Sequence, residues 1–73
     1  MRLSELEKGQ KAKIVRIDAE NGLKNRLMSF GVIRGADLRV EECAPAKKTI
    51  KIAIDATMIA LRLEEAQQIE VAQ

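Results

Sequence analysis

Residues 25–40, NRLMSFGVIRGADLRV, decide how this chain folds. Leu27 and Phe30, with Leu23 just upstream, recur at i, i+4 and i+7, the spacing of one buried helical stripe. Gly31 ends that pattern as the left-handed residue that closes a helix. Arg34-Gly35 suits the centre of a type II turn, whose second central residue needs positive φ. From there the pattern alternates: Leu38 and Val40 against Asp37, Arg39 and Glu41, a strand with one wet face. The stretch therefore predicts a helix of about two turns over 23–30, held between two glycine-marked turns and joined to a strand. A helix this short needs docking to persist, so Leu23, Leu27 and Phe30 are assigned to the core.

Working outward, the spacing of Ser4 and Glu7 reads as a capping box over a helical turn at 4–8. Gly9 is its stop, and Leu3 and Leu6 face inward. KAKIVRI is a strand with a phase slip. Ala12 and Ile14 carry the apolar phase first, then Val15 and Ile17. The slip predicts a bulge near Val15 and Arg16. Asn21-Gly22 is a turn signal at the helix entrance. Downstream, Ile50, Ile52 and Ile54 alternate, then Ile59, Leu61 and Leu63, then Ile69 and Val71. One more helical turn fits EEAQ. Five short, mostly antiparallel strands make too small a sheet to stay open, so closure into a small barrel is expected. The fold class is mainly β: one SH3-like barrel domain over 1–73, one short helix and short helical turns.

Composition narrows the function. With 73 residues and a single cysteine, Cys43, no internal disulfide can brace the domain, and the core must be aliphatic. There is no histidine, so the common catalytic triads are missing, and no enzyme is expected. No cofactor and no metal site are expected either, because carboxylates and thiols do not cluster. MRLSELEKGQ is charged where a secretory leader would be apolar, and no apolar run reaches bilayer length. The expectation is a cytoplasmic protein that is not membrane-embedded. Thirteen basic and eleven acidic residues, net +2, do not by themselves imply nucleic acid.

Four stretches carry a family resemblance. LSELEKGQ looks like an opening Leu-x-x-Leu-x-x-Gly. RLMSFGVIRGADLRV looks like an Arg-Leu, Gly, turn-Gly, strand core. IALR at 59–62 and EEAQQIEV look like the closing strands. In this order and spacing the chain resembles the ferrous iron transport protein A family of small SH3-like barrels. One departure is the hairpin Asp55-Ala56-Thr57, which lacks the expected glycine. The resemblance implies an accessory protein of a ferrous iron transport system. Its implied partner is the cytoplasmic GTP-binding domain of the membrane transporter.

Candidate contact residues follow. Lys24 and Met28 fall on the outer flank of the helix. Lys47 and Lys48 mark a hairpin loop. Arg26 either meets a partner or pairs with Glu64 or Glu65. Cys43 reads as a small strand-end residue. Two alternatives compete: a nucleic-acid-binding small barrel, and a stand-alone relative of the C-terminal domain of metal-dependent repressors. No Trp or Tyr is present, which weighs against single-stranded nucleic acid, because such binders stack bases on aromatic side chains.

Overall fold

A computed structural model describes all residues, Met1–Gln73. A 3-10 turn at Leu3–Glu5 leads into strand β1 (Lys11–Ile17) and helix α1 (Asn21–Ser29). Then come β2 (Asp37–Ala44), a 3-10 turn at Pro45–Lys47, and the hairpin β3 (Thr49–Ile54) and β4 (Thr57–Arg62). A single turn, α2 (Leu63–Ala66), connects to β5 (Ile69–Ala72). All neighbouring strands are antiparallel, in the order β4-β3-β2-β1-β5.

The predicted closure is not a closed ladder: β4 and β5 are the two edges of an open order. Each edge has another neighbour. α2 lies beside β4 and the first 3-10 turn, and its Ala66 is fully buried. The outer edge of β5 is covered instead by the N-terminal residues: Val71 N–H donates to the Met1 carbonyl at 2.8 Å, and Arg2 bridges Glu70. Covering an edge in this way removes a template for unwanted pairing.

The core is seventeen residues, all apolar, with no buried polar or charged residue among them. Leu38, Val40, Ile50, Ile52, Ile54, Ile59 and Leu61 all belong to it, as do Leu3 and Leu6. β1 shifts register between Ile14 and Arg16. The bulge absorbs the phase slip by expelling Val15, which is 40% exposed, while Ile14 and Ile17 stay inside. A second shift lies in β2 between Val40 and Glu42, where the alternation breaks at Glu41-Glu42. Cys43 is a half-buried free thiol opposite Ile50 on β3.

Three local readings are corrected. The Ser4–Glu7 capping box does not form. Glu5 accepts from the Arg2 N–H at 3.0 Å, and the Glu7 N–H goes to Gln10 Oε1 at 2.7 Å. The chain is already extended at Leu6, which delivers it to β1 with both leucines buried. The helix starts at Asn21 rather than after Gly22, because Glu20 caps it. The Glu20 carboxylate accepts from Gly22 at 3.2 Å and Leu23 at 2.8 Å, satisfying N–H groups that have no partner within the helix.

The third correction is Phe30, assigned to the core but 50% exposed. The helix ends at Ser29, with Phe30 as its last half-helical residue. Gly31 N–H donates to the Met28 carbonyl and Val32 N–H to the Leu27 carbonyl, both at 3.0 Å. This pair of bonds is a Schellman motif, with Gly31 at φ +92° as its left-handed residue. The motif swings Val32, not Phe30, under Leu27, and both are fully buried. Leu23 is half-buried at the rim of that packing.

Candidate interaction face

The Gly35 turn is fastened to β1. Ala36 N–H closes the turn on the Ile33 carbonyl at 3.1 Å, around Gly35 at φ +88°. Gly35 N–H donates to the Ile14 carbonyl at 2.7 Å, and Ile14 N–H to the Ala36 carbonyl at 2.9 Å. These bonds hold Ile33 and Arg34 beside the β1 bulge. Gly9, φ +89°, makes the corresponding tie at the other end of the strand pair, donating to the Val40 carbonyl at 2.8 Å.

Lys24 and Met28 line one depression of about 400 Å³ together with Val15, Arg16, Ile33 and Arg34. The other three candidates lie elsewhere. Arg26 points across to α2 and is ion-paired with Glu65. Lys47 and Lys48 line a separate depression with Arg62. Val15, Ile33 and Arg34 were not foreseen as surface residues. The usable signals are the bulge at Val15, where one of two adjacent residues has to face out, and the Arg34-Gly35 turn.

The charges around the first depression are unbalanced. Five of the six arginines are in ion pairs: Arg2, Arg16, Arg26, Arg39 and Arg62. Arg34 has none, and neither does Lys24. No acidic residue lines the depression. A larger depression, about 600 Å³, is lined by Lys11, Lys13, Arg39, Asp37 and Asp55 among small apolar residues. There Lys13 pairs with Asp37 at 3.2 Å, and Arg39 pairs with Glu41 outside the lining, so both signs of charge share this depression.

A second polar cluster is structural. Asp18 accepts from Arg16 Nε and Arg2 Nη1, each at 2.6 Å, and its own N–H donates to the Gln68 carbonyl at 2.7 Å. These hydrogen bonds, Arg16's first and then Arg2's, lower the Asp18 pKa from 3.8 to about 2. The same contact raises the Arg16 pKa. No group of three or more Asp, Glu, Cys or His side chains is placed to hold a metal ion. No helix is long and apolar enough to cross a membrane.

The fold is thus a small antiparallel sheet of SH3-like type with one docked helix and one apolar, basic-rimmed face. The FeoA domain family model matches residues 1–73, and the chain belongs to that family. It is 44% identical over 71 residues to the Fe(2+) transport protein A of Campylobacter jejuni, covering 97% of this chain and 96% of that one. It is 37% identical over 71 residues to an Fe(2+) transport protein A/Fe(2+) transporter FeoB fusion protein of Porphyromonas gingivalis, covering 97% of this chain and 8% of the fusion. Among solved structures, the FeoA protein of Chlorobium tepidum superposes with a TM-score of 0.90 at 37% identity, over 97% of this chain and 68% of that one. A manganese-dependent transcriptional repressor superposes with a TM-score of 0.91 at 28% identity, over 97% of this chain and 39% of the repressor.

Proposed function

We propose that this chain is a cytoplasmic accessory protein of a ferrous iron transport system, acting by direct contact with the GTP-binding domain of the membrane transporter. The observation that carries this is the Porphyromonas gingivalis fusion, in which a segment 37% identical to this chain shares one polypeptide with the Fe(2+) transporter. Fusion of two domains raises their effective concentration to the millimolar range, about what a modest binary affinity needs. The chain's own chemistry agrees, since an exposed apolar face with uncompensated basic residues is built to meet a protein. The repressor likeness covers 39% of that protein, so it supports shared architecture, and fold alone does not transfer function. Phe30, though exposed, is a single aromatic and gives little support to a nucleic-acid role, because its neighbour Arg26 is already paired with Glu65.

The test is genetic and biochemical. Deleting the gene in its own host is expected to reduce anaerobic uptake of radiolabelled ferrous iron, with restoration by the intact chain. The chain is also expected to be retained by the immobilised transporter. Unchanged uptake in the deletion strain overturns the reading.

A further inference from the structure

Six large apolar side chains are left exposed: Met1, Val15, Met28, Phe30, Ile33 and Met58. Three of them, Val15, Met28 and Ile33, converge on one depression. They come from three different elements and reach the surface for three different backbone reasons. The β1 bulge expels Val15. Met28 lies on the flank of α1 about 100° from Leu27. Ile33 opens the turn that Gly35 fastens to β1. None of the three belongs to the buried core. Lys24 and Arg34 line the same depression and are the cations the fold leaves unpaired there.

From this juxtaposition we infer that the Val15–Met28–Ile33 face docks an acidic amphipathic helix of the transporter's cytoplasmic part. Resting on the proposed function, this adds the contact surface and the chemistry of its partner. Charge complementarity selects the occupant. Two apolar side chains at i and i+4 on a partner helix share one face, with Cβ atoms roughly 6 Å apart, and can pack together on the apolar lining of one depression. Carboxylates flanking them meet Lys24 and Arg34. Arg16 is already satisfied by Asp18 and contributes its stem. A second copy of this chain is a poor occupant, because the same face would set Lys24 and Arg34 against their own equivalents. Backbone bonds hold the bulge and the turn in place, so the ordering cost of docking falls on the exposed side chains.

The experiment titrates the labelled chain against the full-length transporter in neutral-lipid nanodiscs. Empty nanodiscs, both neutral and anionic, serve as controls. Met28→Glu and Arg34→Glu are each expected to weaken binding by about tenfold or more, while Met58→Glu, an equally exposed methionine on β4, leaves it unchanged. Rising salt is expected to weaken wild-type binding and to spare Arg34→Glu. Arg34 is an exposed turn residue, so its variant remains informative if Met28→Glu melts early. If wild type binds and both variants bind equally well, the assigned face is wrong while the association stands. If wild type does not bind at all, the association falls and the face with it. Binding to empty anionic nanodiscs that Met28→Glu abolishes, or self-association that it abolishes, gives the face to a lipid surface or to a second copy and overturns the inference.

Discussion

The Val32 N–H reaches back to the Leu27 carbonyl at 3.0 Å, and both side chains are fully buried. With the Gly31 N–H bond to the Met28 carbonyl, it sets which residues after the helix face inward. It buries Val32, leaves Phe30 at the surface and sends Ile33 and Arg34 toward β1. Leu27→Ala is expected to destabilise by about 2–5 kcal/mol, as deletion of a fully buried leucine does. Phe30→Leu should stay within about 0.5 kcal/mol of wild type. Chemical denaturation of both variants checks this, and comparable losses would place Phe30 in the core after all.

The two glycines that frame this segment answer to backbone conformation rather than to space. A Cβ on Gly35 would meet nothing within 4 Å, and one on Gly31 would touch only Ile54 Cγ2 at 4.0 Å. Gly31→Ala and Gly35→Ala should therefore each cost about 1–2 kcal/mol, the penalty of a side chain at positive φ. Gly35→Val should cost more than about 1 kcal/mol, because a β-branched residue tolerates that region worst. Thermal melts read the effect directly.

The β3–β4 hairpin has the opposite defect. Its two-residue loop sets Asp55 at φ +54°, between Ile54 and Thr57, which pair across the ladder. A non-glycine residue is held in the left-handed region, where glycine would sit without a steric penalty. Asp55→Gly is expected to stabilise the domain by up to about 1 kcal/mol, read as a higher melting temperature. A lower one would mean that the carboxylate compensates for the backbone.

Asp18 makes stability pH-dependent in one direction. Its folded pKa, about 2, lies below the ordinary value of 3.8, so the folded state holds its proton less tightly than the unfolded chain. The contribution is fully present above the unfolded value and is lost as pH falls from about 4 toward 2. Asp18→Asn should thus be less stable than wild type at neutral pH, with the difference vanishing near pH 2. An NMR titration of the Asp18 carboxyl carbon should give a midpoint near 2, and a midpoint near 4 would show that the Arg2 and Arg16 contacts are not kept in solution.

The alternation of Ile50, Ile52 and Ile54, and of Ile59 and Leu61, was sufficient to specify strands and their inward faces, because side-chain direction in a strand has a period of two. Gly31 and Gly35 marked their turns because positive φ is a local steric requirement that few other residues meet. The phase slip at Val15 announced its bulge because a period-two pattern changes phase where an extra residue enters the strand. Family membership was legible too, being carried by ordered spacings along the chain. Three things waited for tertiary structure. Whether the slip would bury or expel Val15 depended on the register of β5 against β1. Whether Phe30 or Val32 would sit beneath Leu27 depended on a six-residue backbone bond that helical spacing alone does not contain. Whether the sheet would close depended on what met its edges, α2 beside β4 and the Met1–Arg2 segment on β5. The candidate face lies where all of these meet. Lys24 and Met28 could be placed on a helix flank by angle alone. Val15, Ile33 and Arg34 join them only because β1, α1 and the Gly35 turn are brought together by bonds between residues far apart in the chain, and no one-dimensional pattern records such proximity.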